Sequence, residues 1–262
     1  MKAADLFSLK SRVALVTGAS SGLGIQFAKA LAENGAAVAL VARRADRLLD
    51  LQQSIEAAGG RALAIKADVT DRAATAHAFD AAEEAFGTVT ILVNNTGIAQ
   101  ITRRAIAMPA EEWHRVLSVD LDAVFYNAQE AARRMLAAKQ PGAIINIASV
   151  LAFGVSKGVA AYATAKAAVV QITKALAVEL AFKGVRVNSI APGWFVTEIN
   201  DKYLASKAGE ALKRQIPMGR FGKDGDLDGA LLLLVSDAGS YITGATIVVD
   251  GGLMVMITGQ GG

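Results

Sequence analysis

RVALVTGASSGLG, residues 12–24, joins a short apolar run to a turn that contains three glycines. The run predicts a buried β-strand, and the apolar spacing of residues 24–35 predicts a helix directly after the turn. Gly18 permits a tight turn, Gly22 lets the backbone approach a ligand closely, and Gly24 lets the helix pack against the strand. Because a helix N-terminus presents unpaired N–H groups to anions, this turn predicts a phosphate site.

The glycines of this turn are spaced G-x-x-x-G-x-G, which differs from the commoner G-x-G-x-x-G fingerprint of dinucleotide sites. Glycines also collect in loops for steric reasons alone, so the cluster by itself has an alternative explanation. Its place between the first strand and the first helix of a βαβ pattern favours a bound dinucleotide.

Outward from the turn, apolar runs alternate with amphipathic segments along the whole chain. The predicted strands cover residues 12–17, 36–42, 61–69, 88–95, 142–149, 184–192 and 245–252. The predicted helices cover residues 24–35, 45–58, 71–86, 109–139 and 160–182. Continuous apolar strands with helical crossovers indicate a parallel sheet covered on both faces. We therefore expect an α/β fold with a single domain over 1–262: a Rossmann-type, doubly wound parallel sheet with helices on both faces.

The composition excludes several classes of protein. The 262 residues carry a formal net charge of +3, and the basic residues are scattered, so we expect no nucleic-acid partner. Cysteine is absent, and the two histidines, His77 and His114, lack ligand spacing, so we expect no metal site. No signal-peptide core or membrane-spanning run is evident, which predicts a soluble cytoplasmic protein with no membrane partner.

The end of the second strand carries information about which dinucleotide binds. An acidic residue there would bond the ribose 2′-hydroxyl of NAD, but Ala42 occupies that position and Arg43 and Arg44 follow it. An arginine fork suits a 2′-phosphate, so we predict NADP(H) rather than NAD(H), with Arg43 as the binding residue. The alternative is that both arginines only decorate a solvated helix start.

Three further motifs complete a pattern: NNTG (94–97), AYATAK (161–166) and NSIAPG (188–193). With the glycine turn, they resemble the short-chain dehydrogenase/reductase family from Arg12 to Gly252. The resemblance implies a Ser–Tyr–Lys set, which Ser149, Tyr162 and Lys166 match. Tyr162 would be the general acid and base, Ser149 would hold the carbonyl oxygen, and Lys166 would bond the nicotinamide ribose and favour the phenolate.

The resemblance also implies the cofactor site. Its cofactor residues are Gly18, Ser20, Ser21, Gly22, Leu23, Gly24, Asp68, Val69, Asn95, Gly97, Tyr162, Lys166, Pro192, Gly193, Val196 and Thr197. Members of the family are commonly homotetramers in which long helices pair across an interface, and we expect the same assembly here.

The Tyr–Lys pair is also coherent as chemistry. Hydride addition to a ketone leaves an alkoxide that needs a proton, and residues at i and i+4 share a helix face, so Lys166 can stabilise the phenolate of Tyr162. Ser149 offers a compact donor to the developing oxyanion. Taken alone, the pair is more typical of an amphipathic helix with one extended lysine, and it is the glycine turn and Ser149 that favour the catalytic interpretation.

Two positions depart from the family pattern. NNTG has Thr96 where the family usually has alanine, a small enlargement of a tight loop. Asp120 stands where the family usually has the asparagine of a proton relay, so we include it among the candidate catalytic residues. Aspartate could preserve the backbone role and add negative charge near Lys166, or it could simply face a neighbouring helix end.

The sequence says less about the substrate. We expect residues 194–220 to form a mobile lid over the pocket. Six residues suggest an apolar wall, although each could equally be core: Leu151, Phe153, Val155, Trp194, Phe195 and Tyr203. Such a wall favours a ketone, a keto ester or a 3-oxoacyl group, and Arg103 and Arg104 could meet an anionic substrate portion or be ordinary surface charges.

We therefore expect an NADP(H)-dependent carbonyl reductase that interconverts a carbonyl and a secondary alcohol. The alternative within enzymes is an NAD-dependent alcohol, sugar or polyol dehydrogenase, against which Arg43 argues. The alternative outside enzymes is a dinucleotide-sensing or scaffold protein, against which the intact Tyr162 and Lys166 argue.

Overall fold

The fold is described by a computed structural model of the chain, over residues 2–100, 103–198 and 200–256. Seven parallel strands form one sheet in the order β3-β2-β1-β4-β5-β6-β7. The strands are β1 (Val13–Thr17), β2 (Ala37–Ala42), β3 (Arg61–Lys66), β4 (Ile91–Asn94), β5 (Gly142–Ile147), β6 (Val185–Pro192) and β7 (Thr246–Val249). Strand β1 pairs with β2 on one side, where Thr17 lies opposite Val41, and with β4 on the other, where Val16 lies opposite Val93. The direction in which successive strands are added to the sheet therefore reverses at β1.

Ten α-helices lie within the described residues. They are α1 (Ala3–Leu6), α2 (Leu23–Glu33), α3 (Ala45–Ala57), α4 (Arg72–Phe86), α5 (Ala110–Leu117), α6 (Ala123–Ala137), α7 (Ala160–Leu180), α8 (Asp201–Leu204), α9 (Lys207–Lys213) and α10 (Asp228–Val235). Local signals explain their ends: Asp71 caps α4 by accepting from the N–H groups of Ala73 and Ala74, and Gly87, with φ +89°, ends it.

Two apolar layers hold the helices against the sheet. On one face, Phe27 and Leu31 of α2 and Leu48 of α3 join Leu231 of α10 in a fully buried cluster. On the other face, α4, α6 and α7 supply a second cluster, of which Phe79 is a fully buried member. The predicted α/β fold, with a doubly wound parallel sheet between two helical layers, is confirmed.

The predicted elements differ from the observed ones in several places. Strands β3, β4 and β5 are shorter than the strands predicted over 61–69, 88–95 and 142–149. The helical region predicted over 109–139 consists of α5 and α6 joined by a π-helical turn, Ser118–Asp122. The last strand ends at Val249 rather than at residue 252. Helix α10 was not assigned from sequence because its run of leucines is apolar all round and lacks the polar face that marks a surface helix.

The parallel arrangement positions the site. All seven strands run in the same direction, so their carboxyl ends meet at one edge of the sheet, next to the point where the strand order reverses. The glycine turn follows β1, the NNTG motif spans the end of β4, and Ser149 follows β5, so three motifs reach this edge. No helix in the described part of the chain is both long and apolar enough to cross a membrane.

Candidate active site

The glycine turn between β1 and α2 is shaped for an anion. Gly18 and Gly22 have φ angles of +68° and +53°, a backbone conformation that residues other than glycine rarely adopt. A Cβ at Gly24 would lie 2.2 Å from the carbonyl oxygen of Gly18, so only glycine allows the helix to start this close to the strand. Because Gly22 contributes no capping side chain to α2, the backbone of this turn fits a cofactor phosphate. Ser20 is buried in the turn, whereas Ser21 and Leu23 are partly buried.

The end of β4 is bonded directly to this turn. The side-chain amide of Asn95 donates to the carbonyl oxygens of Thr17, at 3.0 Å, and of Gly18, at 3.3 Å. The Thr17 hydroxyl accepts from the backbone N–H groups of Asn95 and Thr96. The Thr96 hydroxyl is buried and has no hydrogen-bond partner among the residues that the structure describes. The extra volume of Thr96 is therefore accommodated within a loop that its own backbone anchors.

The predicted Ser–Tyr–Lys set gathers around the end of β5. Ser149 is buried just after the strand, and its Oγ accepts from the N–H of Leu151 at 3.1 Å. Tyr162 lies in the first turn of α7, partly buried, and Lys166 follows one turn later. The Lys166 Nζ donates to the carbonyl oxygen of Ile147 at 3.1 Å and lies 5.5 Å from the centroid of the Tyr162 ring. The lysine thus ties α7 to the end of β5, two residues before Ser149.

Asp120 forms a buried ion pair with the lysine of this set. Its Oδ1 lies 3.3 Å from Lys166 Nζ, and the two side chains are 0% and 4% exposed. The N–H of Ile98 donates to the same carboxylate at 3.2 Å. A Cβ at Gly97 would lie 2.7 Å from Asp120 Oδ1, so glycine at this point of the NNTG motif gives the carboxylate its space.

The charges of this pair depend on each other. Burial opposes the ammonium of Lys166, but the nearby Asp120 and Tyr162 outweigh that effect, and the pKa of Lys166 is raised. Burial raises the pKa of Asp120, and the attraction of Lys166 and the hydrogen bond from Ile98 offset this only in part. Lys166 is therefore a cation at neutral pH, and its ion-pair partner is Asp120.

Three arginines lie near the end of β2, and one of them contacts the glycine turn. Arg43 lies 3.9 Å from Asp68, whereas Arg44 reaches the turn itself. Arg44 Nε donates to Ser20 Oγ at 3.2 Å, and its Nη2 donates to the Ser20 carbonyl oxygen at 3.3 Å. Arg47, one turn into α3, shares the carboxylate of Glu198 with Arg44. Sequence reasoning selected Arg43 and overlooked Arg47. The spacing of three residues between Arg44 and Arg47 could have indicated that the two guanidinium groups are neighbours.

The segment after β3 holds the remaining predicted adenine-side residues. Asp68 accepts from the backbone and the hydroxyl of Thr70, and these bonds, with Arg43 nearby, hold the pKa of Asp68 below its usual value. Val69 is buried beside it.

The residues after β6 pass over the glycine turn. Pro192 ends the strand, and Gly193 donates to the Val249 carbonyl at a point where a Cβ would lie 2.7 Å from Asp250 Cα. Thr197 lies beside the turn, since a Cβ at Gly22 would be 3.2 Å from its methyl group. Val196, before it, is exposed.

The predicted apolar wall divides into core and surface residues. Phe195 is buried in the core cluster, its ring against Gly222, so it belongs to the core. Phe153, Val155 and Tyr203 are exposed apolar side chains, and Tyr203 packs near Trp194. Leu151 is partly buried, and Arg103 and Arg104 are exposed. The predicted lid carries α8 and α9, with Ile199 outside the described residues.

Two residues that sequence reasoning missed support this wall and the catalytic helix. The Met254 side chain packs against Gly154: a Cβ at Gly154 would lie 3.7 Å from Met254 Cε. The segment around Met254 therefore borders the loop after Ser149. Gln100 Oε1 accepts from the N–H of Tyr162 at 3.2 Å, and its Nε2 donates to the Gly158 carbonyl at 2.7 Å. Neither contact has a local sequence signal.

Comparison with known proteins bears on this arrangement of residues. A family model described as enoyl-(acyl carrier protein) reductase matches residues 18–254. A crystal structure of a short-chain type dehydrogenase/reductase from Mycobacterium marinum is 41% identical, with a TM-score of 0.90, and the match covers 95% of this chain and 98% of that one. The chain belongs to the short-chain dehydrogenase/reductase family. The predicted resemblance is confirmed.

As a short-chain dehydrogenase/reductase, the protein is an oxidoreductase of a family that uses NAD(H) or NADP(H). Among similar family members, the 3beta-hydroxysteroid dehydrogenase 1 of Eggerthella lenta is 41% identical over 94% of this chain and 94% of that protein. A gluconate 5-dehydrogenase from Burkholderia cenocepacia, solved in complex with NADP and tartrate, is 36% identical, with a TM-score of 0.92, covering 98% of this chain and 100% of that one. Relatives of similar closeness therefore act on chemically different alcohols.

Proposed function

We propose that this chain is an NADP(H)-dependent carbonyl reductase, one domain in extent, that interconverts a ketone, keto ester or 3-oxoacyl group and a secondary alcohol. The observation that carries the proposal is the grouping of Ser149, Tyr162 and Lys166 around the end of β5, with Lys166 bonded to Ile147 and to Asp120. The glycine turn fits a cofactor phosphate at the same edge of the sheet.

Each side chain of the set has a defined role in this proposal. Tyr162 gives its phenolic proton to the carbonyl oxygen as negative charge develops there, and it takes that proton back in the oxidation direction. Ser149 accepts from Leu151, which leaves its hydroxyl proton to be donated to the same oxygen. Lys166 stabilises the phenolate that Tyr162 becomes, and Asp120 holds Lys166 in position. The glycine turn would hold the phosphate of the dinucleotide, whose nicotinamide would supply the hydride in reduction and take it up in oxidation.

The choice of NADP(H) rests on charge at the end of β2. No acidic residue stands at the end of this strand: Ala42 is its last residue and Arg43 and Arg44 follow it. Arg47 shares the carboxylate of Glu198 with Arg44. Guanidinium groups match the geometry of a phosphate monoester, whereas an NAD site needs an acceptor for the ribose 2′-hydroxyl. The Burkholderia gluconate 5-dehydrogenase, which was solved with NADP, is consistent with this choice.

The substrate class rests on the exposed apolar residues near the site. Phe153, Val155, Tyr203 and Met254 offer contacts to a bulky apolar carbonyl compound and no charge to a sugar acid. This favours a substrate like that of the steroid-active relative over one like that of the gluconate-active relative. The runner-up function remains an NAD-dependent alcohol, sugar or polyol dehydrogenase.

One experiment tests the activity. The protein is assayed with NADPH and with NADH against cyclic ketones, keto esters and acetoacetyl thioesters, and against sugar acids in the oxidation direction. We expect NADPH-dependent reduction of apolar ketones. The Tyr162→Phe variant is expected to bind NADPH normally and to lose turnover by about a hundredfold or more, the contribution of a positioned general acid. Full turnover in that variant contradicts the proposed chemistry. A wild-type protein that binds the dinucleotide but turns over none of these substrates contradicts the proposed enzymatic function.

A further inference from the structure

An ion pair joins the segment after β6 to the start of α3. Glu198 Oε2 lies 3.3 Å from Arg44 Nη1, and the other carboxylate oxygen is bonded to Arg47. Glu198 is 151 residues from Arg47 in the chain. The ion pair therefore holds together two segments that are distant in the chain, one after β6 and one at the start of α3.

The same arginine contacts the glycine turn itself. Arg44 bonds both Oγ and the carbonyl oxygen of Ser20, so its guanidinium lies between the turn and Glu198. Thr197, the residue before Glu198, lies beside Gly22. Glu198 is thus held close to the position where the turn would bind cofactor phosphate.

Arg44 and Arg47 form an anion-binding site, and the carboxylate of Glu198 occupies it. Guanidinium groups recognise a carboxylate and a phosphate monoester through the same paired N–H bonds. Hydrogen bonds from Arg47 and Arg44 hold the pKa of Glu198 below its usual value, so the carboxylate is charged at neutral pH. Arg43, the third arginine, has its own acidic neighbour in Asp68.

We propose that Glu198 competes with the 2′-phosphate of NADP(H) for Arg44 and Arg47, and that it thereby sets the cofactor selectivity of the site. This inference rests on the proposed function, because it takes NADP(H) as the cofactor. NADP(H) must displace the carboxylate from the two guanidinium groups before its 2′-phosphate can pair with them. NAD(H) carries a 2′-hydroxyl and leaves the ion pair intact.

The inference is tested by calorimetric titration of four probes: NADP⁺, NAD⁺, 2′,5′-ADP and 5′-AMP. In the Glu198→Gln variant we expect NADP⁺ and 2′,5′-ADP to bind about three- to tenfold more tightly, since two exposed ion pairs no longer compete. NAD⁺ and 5′-AMP should bind as they do to the wild type. Glu210→Gln is the matched control, because Glu210 carries the same charge on α9 and, within the described part of the chain, its one ion pair is an exposed i,i+3 contact with Lys213.

The outcomes separate this inference from the proposed function. An unchanged ratio of NADP⁺ to NAD⁺ affinity in Glu198→Gln overturns the competition while leaving NADP(H) as the cofactor. Weaker binding of both dinucleotides overturns it in favour of a clamp that closes over any cofactor. A wild type that prefers NAD⁺ contradicts the proposed cofactor, whatever the variant does.

A double variant guards against an indirect effect of Glu198. Arg44→Ala/Arg47→Ala removes both cations, so it should reduce the affinity for 2′,5′-ADP much more than that for 5′-AMP. Adding Glu198→Gln to this variant should then change nothing, because neither of the guanidinium groups that Glu198 contacts remains; Arg43 is still present but pairs with Asp68. A further gain in 2′,5′-ADP affinity in the triple variant overturns the proposal.

Discussion

Asp120 brings a carboxylate into a fully buried position next to the lysine of the catalytic set. Taking two charges out of water is costly, and only close pairing with further hydrogen bonds offsets that cost. Here Lys166 at 3.3 Å and the N–H of Ile98 supply those contacts. We therefore propose that Asp120 acts on the reaction through Lys166, as a positioning and charge-balancing group.

Replacing Asp120 with asparagine tests that role. Asp120→Asn removes the counter-charge of Lys166, so the ammonium should stabilise the phenolate of Tyr162 more strongly. We expect the rise of kcat/KM with pH in alcohol oxidation to move to lower pH by about half a unit to one unit. Asp122→Asn, an exposed change on the same π-helical turn, is the control. A pH–rate profile identical to the wild type would leave Asp120 with a purely structural role.

At the scale of elements, the start of α7 is fixed from outside the helix. Val159, the residue before its first turn, offers no capping side chain, and Gln100 supplies the acceptor for the N–H of Tyr162 instead. The same glutamine donates to Gly158. The loop after β4, which also meets the glycine turn, therefore fixes the first turn of α7, where Tyr162 lies.

Removing this cap should affect catalysis more than cofactor binding. Gln100→Ala is expected to lower kcat/KM about three- to tenfold, because Tyr162 is less well positioned. It should lower Tm by about 2–4 °C, the effect of losing a cap in a protein of this size. Gln53→Ala, an exposed glutamine on α3 and away from this helix, serves as the comparison. Loss of cofactor affinity without loss of turnover would contradict a role at the tyrosine.

At the scale of the whole molecule, α7 presents an outward face of mostly small and apolar side chains. Thr164, Ala167, Ala175 and Val178 are exposed along one stripe of the helix, with the polar Gln171 between them, and Val178 is 82% exposed. Small side chains allow two helices to approach closely. This face suits the helix pairing that family resemblance predicts for a homotetramer, and that assembly stays a prediction.

A single charge on this face tests the assembly. Light scattering after gel filtration should give four times the mass of one chain for the wild type, and a smaller mass for Val178→Asp, because the charge would be buried without a partner in the interface. Leu49→Asp, on the exposed face of α3, should leave the mass unchanged. A wild-type monomer, or a Val178→Asp tetramer, contradicts pairing through α7.

Local pattern in the sequence determined much of this protein. The apolar run and glycine turn of residues 12–24 predicted β1, α2 and the phosphate site, and the alternation of strands and helices predicted the parallel sheet. Tyr162 and Lys166 share a helix face by their spacing alone. Each of these features depends on neighbours within a turn or a strand, or on a topology that allows few alternatives.

Tertiary structure alone decided which side chains pair across the site. Asp120 with Lys166, Gln100 with Tyr162, and Glu198 with Arg44 and Arg47 join segments far apart in the chain. Packing also assigned Phe195 to the core rather than to the substrate wall. Periodicity specifies the face of an element on which a residue lies, but its partner depends on how distant elements pack and which rotamers that packing allows.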